Sequence, residues 1–598
     1  MQTQKYSVNQ HPIETILTWV KSGEIAIPEI QRPFVWDSSK VRDLMDSLYQ
    51  GFPIGYIIAW RNPEVKLKDG SLSEGKKVLI DGQQRVTAMQ AAILGQYVIN
   101  KQYKQIKIKI AFNPIEEKFE VQNPAISKDK VWIPDIAEIF DGSVDQYDLV
   151  DNYLEANQEA DKQQVRKAIT GLIKMPMRQI GLIELASDLD IDTVTEIFIR
   201  INSQGVVLSQ ADFVMSKIAA NETYEGNTLR KAIDYFSHLA IAPEFSSHIR
   251  DNDTEFAETD YFEKMKWLRN ENEDLYDPTY SDLLRVSFTS KFNRGRLSDL
   301  VSLLSGRNFE TRKFEQSIAE ESFSTLADGV RSFISETHFK RFLMIIKSAG
   351  FISPQMIRSK NALNFAYIVY LKLKDMGYPP EEIERFVRKW FVYSILTGRY
   401  SGSPESMFDF DIRRIAEKPF AEYMKENEEA NLSDAFWDAS LVQSLDTSVR
   451  SSPYFNVYLA SQVRGGDKGF LSTDITVGQL VEYRGDIHHI FPRNYLKKQG
   501  FARGRYNQIA NYVMMQSEIN IQIGDKRPEV YFTELREQCQ TGIKKYGNIE
   551  SEEVLKENFR MHCIPEMIFG ANHENFGDFL TERRRLIAGK IRKYYRIL

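Results

Sequence analysis

Two adjacent histidines, His488 and His489, stand in the segment GDIHHIFP and are followed by Asn511, Asn520 and Lys526, all within 39 residues. The segment reads as a short strand reaching a turn, so the two imidazoles point to opposite sides. Opposite directions suit different tasks: one ring can bind a divalent metal while the other takes a proton from water. A metal beside a phosphodiester and an imidazole facing water are what metal-assisted phosphodiester hydrolysis requires. A pair of satisfied histidines with two loop-capping asparagines is the structural alternative. The second chemical segment is VLIDGQQRVTAM at 78–89. DGQQR reads as a strand end, a Gly turn and a helix start. A helix N-terminus offers unpaired N–H groups and a positive dipole end, so Gly82, Gln83 and Gln84 can cradle a phosphate while Arg85 forks onto its oxygens. Asp81 is placed to hold hydrated Mg²⁺, or else to cap the following helix.

The elements that must position these residues predict an α+β protein. Residues 1–220 mix strands and helices. GYIIAW and KVLI are short apolar runs with strand character, KIKIAF alternates, and QRVTAMQAAIL has helical spacing. Ser39 is a candidate cap for a helix that places Val41, Leu44, Met45 and Leu48 on one face and stops at Gly51. Residues 221–435 are mostly helical in pattern, as in KNALNFAYIVYLKLKDMG and EEIERFVRKWFVYSIL. The acidic interval KENEEANLSDA at 425–435 predicts a surface connection to a C-terminal region, 436–598. Three parts suit a chain of 598 residues.

Composition narrows the class. With 42% hydrophobic and 27% charged residues, the chain is neither fibrous nor largely disordered. A net charge of −6 excludes a surface coated in nucleic-acid-binding charge, so a phosphate-binding face must be local. One candidate is the run Arg583, Arg584, Arg585, Lys590, Arg592, Lys593 and Arg596, a solvated helix face being the alternative. Two cysteines exclude a disulfide scaffold, and no apolar run approaches a membrane span or a signal core, so the expected compartment is the cytoplasm. Residues 70–76, GSLSEGK, match G-x4-G-K but precede a strand and lack the following Ser or Thr, so they are not a P-loop. His562, Cys563 and His573 lack metal-ligand spacing and are read as structural.

The ordered set His488, His489, Asn511, Asn520, Lys526 resembles the core of an HNH nuclease, a ββα-metal fold. The resemblance makes His489 the general base, His488 and Asn520 metal ligands, Asn511 the brace of the loop that orients the base, and Lys526 a phosphate neighbour. Position 488 is usually acidic in that family. A histidine there favours softer ions, with Asp486 as a substitute carboxylate. IPEIQRPFVWDSS at 27–39, DGQQR, FIRINSQGVVLSQADF at 198–213 and GRYSGSPESMFDFDIRRI at 398–415 together resemble the GmrSD-type modification-dependent restriction endonucleases, with SspE-like and BrxU-like defence proteins sharing the layout. That resemblance implies a ParB-like N-terminal domain binding and hydrolysing GTP, ATP or UTP through Asp81, Gly82, Gln83, Gln84 and Arg85, with Gln31 and Arg32 at the same pocket; Arg200 and Asn202 are assigned to it too, a helix-terminal cap being the equal alternative. Trp36 is read as core. It also implies an anti-phage endonuclease or nickase that uses Mg²⁺ or Mn²⁺ on double-stranded DNA, modified by phosphorothioate or by sugar on cytosine. Lys526, Arg583, Arg584 and Arg585 are the expected DNA contacts. Homodimerisation is left open, and the alternative is an NTPase-type DNA-binding regulator with an inactive HNH domain.

Overall fold

The computed structural model describes residues 5–26, 36–61, 77–99, 105–140, 146–186, 189, 194, 197, 210–219, 221, 223–270, 275–313, 315–483 and 487–598. They form two compact units, residues 1–230 and 231–598, and the mixture of helices with small sheets fits the α+β class.

In the first unit, strands β1 (Tyr6–Pro12), β2 (Ile25–Ala26), β3 (Tyr56–Arg61), β4 (Lys77–Asp81) and β5 (Gln179–Leu185) form one sheet in the order β1-β5-β3-β4-β2. β3 runs parallel to β5 and antiparallel to β4. Its register with β4 slips after Ile58, so Ile58 opposes Asp81 while Ala59 opposes Leu79. Alternation sends Ile57, Ala59 and Leu79 into the main core with Val41, Met45, Val86 and Met89, whereas Ile58 and Trp60 join Leu185 in a smaller cluster. The run QRVTAMQAAIL is the helix Gln83–Ile93. KIKIAF, 107–112, is strand only in its second half: Ile110–Asn113 pairs with Lys118–Val121, and the short strand Gln105–Ile106 just before the segment pairs with Val98–Ile99. The helix Ser38–Gln50 buries the four apolar residues that its spacing singles out and ends at Gly51, φ 75°. Its cap is Asp37 rather than Ser39. The Asp37 carboxylate accepts from the Lys40 N–H at 2.9 Å and also takes the Ser39 hydroxyl. Trp36 is partly buried against the same core.

The second unit is mainly helical, with the two long apolar patterns forming the helices Lys360–Asp375 and Pro380–Thr397. The acidic interval 425–435 is mostly exposed and largely helical, since the helix Phe420–Asn431 runs through most of it. GRYSGSPESMFDFDIRRI builds a buried charge network. Asp411, 0% exposed, accepts from Arg399, from the Tyr400 hydroxyl at 2.7 Å and from the Tyr423 hydroxyl at 2.6 Å. The Arg399 guanidinium lies 5.3 Å from the Trp390 ring centroid. Removing one side of such a pair leaves an uncompensated buried charge. Asp411→Ala should therefore lower the unfolding free energy of this unit by about 3–5 kcal/mol, read by denaturant titration. A loss below about 1 kcal/mol would contradict the network.

Candidate functional site

Strand β6 (Ile487–His489) pairs antiparallel with β7 (Tyr512–Met514), placing His488 opposite Val513 and His489 opposite Tyr512. β7 leads through Met515 and Gln516 into the helix Ser517–Ile523, giving the order strand, long connection, strand, helix. The apolar sequence explains why they pack: Ile490, Phe491, Val513, Met515, Ile519 and Ile523 share one core. Asn520 sits half-buried on that helix, next to buried Ile519.

Asn511 is fully buried and holds the connection shut. Its Oδ1 accepts from the Phe491 N–H at 2.8 Å, and its Nδ2 donates to the carbonyls of Phe491 and Tyr506, each at 3.1 Å. Asn511 thus acts on the main chain beyond His489, while the imidazole itself is held by a residue that the motif does not name. The Nε2 of His489 is 2.9 Å from Asn507 Oδ1, and the ring stands edge-on to Tyr512 with centroids 5.1 Å apart. A carboxamide oxygen accepts only, so Nε2 carries the proton and Nδ1 the lone pair. Burial is the main cause that pushes the His489 pKa down to about 4. The Asn507 bond opposes the shift, and the charges of Arg450 and Arg493 add to it. At neutral pH the ring is neutral, the state a proton acceptor needs.

For a divalent metal, the expected ligands His488 and Asn520 would supply one imidazole and one carboxamide oxygen, and Asp486 lies outside the described residues. No group of three or more His, Cys, Asp or Glu side chains gathers among the described residues. Two such donors would leave most positions of an ion to water and phosphate oxygens, unlike a closed structural cage.

The expected DNA contacts divide sharply. Lys526 pairs with Glu534 at 2.9 Å and with the Tyr546 hydroxyl, so its charge is locally compensated. Arg583 is a correction: it is 0% exposed and cannot reach a surface ligand. In the helix Phe576–Arg596 it lies on the buried stripe with Phe579, Leu580 and Ile587. There it donates to the Ala510 carbonyl at 2.8 Å and twice to the His562 carbonyl, at 3.0 and 3.2 Å. It supports the backbone next to Asn511. Arg584 is mostly buried and pairs with Asp446 at 2.6 Å; Arg585 is exposed and pairs with Glu582 at 3.3 Å.

His562 is a structural residue, as read: it is 0% exposed, and its Nε2 is 2.8 Å from the Lys468 carbonyl. Burial pushes its pKa down to about 3. The native state therefore keeps it neutral where the unfolded chain takes up a proton below about pH 6.5. Its contribution is present above that pH and is lost progressively as pH falls towards 3. Between pH 6.5 and 4.5 wild type should lose roughly 2–3 kcal/mol relative to His562→Gln, measured as the difference between their unfolding free energies at each pH. Parallel pH dependence of the two proteins would refute this.

In the first unit, β4 ends at Asp81, Gly82 turns the chain at φ 92°, and the helix Gln83–Ile93 begins without a side-chain cap. A Cβ at Gly82 would lie 3.2 Å from Ile57 Cγ1, so glycine is needed for both conformation and space. The Asp81 carboxylate accepts from Arg85 Nη2 at 3.1 Å, and Arg85 Nη1 donates to the Ile54 carbonyl at 3.1 Å. Gln83 donates to the Leu79 carbonyl at 3.2 Å. Arg85 so clips the entry of β3 to the exit of β4. Gln31, Arg32, Arg200 and Asn202 lie outside the described residues.

Residues 13–219 match the family model for the N-terminal domain of the GmrSD restriction endonuclease, a span that includes the strand, Gly turn and helix of DGQQR. An uncharacterized protein of Methanocaldococcus jannaschii is 22% identical, over 97% of this chain and 98% of its own length. The domain match supports kinship with the GmrSD-type restriction endonucleases and a restriction-type defence role with DNA as partner.

Proposed function

We propose that this chain, with its GmrSD-type N-terminal domain, is an HNH endonuclease that nicks or cleaves phage or modified double-stranded DNA, controlled by an NTP bound at DGQQR. The observation that carries the nuclease reading is the His489 ring, neutral and fixed through Nε2 by Asn507 on a hairpin that runs into the helix of Asn520. In this mechanism His489 Nδ1 accepts a proton from water as that water attacks the phosphorus. Asn507 keeps the tautomer, and Asn511 with Arg583 keeps the loop ends in place. His488 and Asn520 would hold a divalent ion, which when bound supplies charge stabilisation at the phosphate and leaving oxygen. The uncapped helix start after Gly82 supports a phosphate-binding role for the first unit. The sensed modification is a phosphorothioate or a sugar on cytosine.

The test is nicking of supercoiled plasmid with Mg²⁺ or Mn²⁺, abolished by chelation, alongside phosphate release from GTP, ATP and UTP. Plain, phosphorothioated and glucosylated duplexes identify the trigger. NTP turnover with no nicking in either metal on any of these DNAs would replace the nuclease reading by a DNA-binding NTPase regulator.

A further inference from the structure

The connection between β6 and β7 carries a charge pattern that the nuclease motif does not include. From Ile487 to Ser517 there are five cationic residues, Arg493, Lys497, Lys498, Arg503 and Arg505, and no acidic one. In a chain of net charge −6 that is a local excess. Lys498 pairs with Asp525, but Arg493, Arg503 and Arg505 are exposed and form no ion pair among the described residues. This contrasts with Lys526, Arg584 and Arg585, each of which has a carboxylate partner.

Two of these cations, and a third from outside the connection, are tied to the neighbourhood of His489 by the fold. Arg493 opens the helix Arg493–Lys498, four residues after His489 in sequence. Arg503 opens the short turn Arg503–Tyr506, and its carbonyl accepts from the Asn507 N–H at 3.1 Å. One helical turn therefore separates Arg503 from the side chain that holds His489, and positions i and i+4 share a face. The third cation, Arg450, comes from a different segment. Its guanidinium lies 5.5 Å from the Tyr512 ring centroid, and that ring packs edge-on against His489. The segment bearing Arg450 is pinned on both sides. Thr447 accepts from the Ile509 N–H at 3.0 Å, Asp446 pairs with Arg584 at 2.6 Å, and Ser451 Oγ accepts from Arg358 at 2.7 Å. Arg450 itself is exposed and has no ion pair among the described residues. The charges of Arg450 and Arg493 act on the His489 ring, and those of Arg450 and Arg503 on Tyr512. Exposed guanidiniums gathered from separate segments around the His489 and Tyr512 ring pair concentrate like charge that a polyanion would offset.

We propose that Arg450, Arg493 and Arg503 form a frame that grips the phosphates flanking the scissile position of duplex DNA and sets the backbone over His489. The proposal rests on His489 as the reactive centre, yet it is readable without cleavage. Binding of a labelled DNA duplex is measured in Ca²⁺ from low to moderate salt, for wild type, Arg450→Gln, Arg493→Gln, Arg503→Gln, the triple variant and the charge-loss control Arg560→Gln. Arg560 is exposed and, among the described residues, its only ion pair is with Glu557 on its own helix. Each frame variant should weaken binding and reduce the slope of log K against log salt by about 0.9, and the triple variant by nearly three times that, with the control unchanged. In Mn²⁺ the frame variants should raise KM for plasmid nicking more than they lower kcat, and Arg450→Lys should recover most of the binding. Wild-type salt slopes in all three variants, or a control that shifts as much, would overturn the frame while leaving the nuclease reading intact. Reduced slopes in a wild-type protein that never nicks would keep the frame and remove the nuclease. Equal loss of slope for duplex RNA would overturn the assignment to DNA.

Discussion

Replacing His489 by alanine should reduce plasmid nicking by about 10²–10⁴-fold, the usual contribution of a positioned general base. The residual rate would come from the metal and the bound phosphate. Alanine also removes the ring that packs against Tyr512, so the companion variant is His489→Gln, which keeps bulk and a hydrogen-bonding group but cannot accept a proton as imidazole does. Both should lose nicking alike, with unfolding midpoints close to wild type and NTP turnover unchanged. Asn507→Ala tests the positioning role separately. It leaves the base in place and frees its tautomer, so nicking should fall by a smaller factor, about 10–100-fold as for other residues that orient a functional imidazole, and Asn507→Asp should recover part of it. Undiminished nicking by the His489 variants would remove the HNH assignment. Normal nicking by Asn507→Ala would leave His489 in role and assign its orientation to Tyr512 packing.

How far the sequence foretells this arrangement depends on whether a residue acts locally. DGQQR is legible because strand end, glycine turn and helix start are consecutive, and the structure places them so at Asp81, Gly82 and Gln83. IHH is likewise legible as a short strand, and it pairs with YVM in the apolar run after Asn511. Asn507 was missed because its partner is 18 residues away and its spacing belongs to no motif. Arg583 was read as surface because a run of three arginines dominates the local pattern. Its periodicity with Phe576, Phe579, Leu580 and Ile587 carried the opposite signal, since those positions form one helical stripe. The carboxylate and hydroxyl that hold Lys526, expected beside the phosphate, are not legible near it because Glu534 and Tyr546 come later in the chain. The cap of the helix Ser38–Gln50 shows the same competition at short range: Asp37 and Ser39 both suit capping, and the carboxylate wins the Lys40 N–H while Ser39 donates to it. Arg450 was beyond reach altogether, because nothing in the chain order links position 450 to position 489.

Asp81→Asn and Arg85→Ala should each abolish measurable NTP turnover while leaving the hairpin of His489 intact. In the proposed site Arg85 neutralises phosphate oxygens, and a single such electrostatic contact is worth about 10²–10³-fold in rate. The structure adds a second task, because Arg85 also satisfies the Ile54 carbonyl and the Asp81 carboxylate. Arg85→Ala is therefore paired with Gly55→Ala, which retains the guanidinium but displaces it. A Cβ at Gly55 would come 2.4 Å from Arg85 Nη1, and the residue sits at φ 89°, where an L side chain is strained. If nucleotide binding is the purpose of this turn, Gly55→Ala should also lose turnover, with a small loss of stability. If Arg85 is only a structural clip, Gly55→Ala should lose stability while the remaining folded protein turns over normally. The coupling is read in the same variants through nicking with and without GTP, ATP or UTP. A nucleotide shifts the nuclease only through differential affinity for its active and inactive states, a coupling of about 1–3 kcal/mol that corresponds to roughly 5–150-fold in the equilibrium between those states. Wild-type nicking should change by such a factor with the preferred nucleotide, and Asp81→Asn should nick at the nucleotide-free rate under every condition. Full turnover by both Asp81→Asn and Arg85→Ala would show that DGQQR is not the NTP site. Wild-type nicking indifferent to all three nucleotides would show that the two chemistries share a chain without sharing an equilibrium.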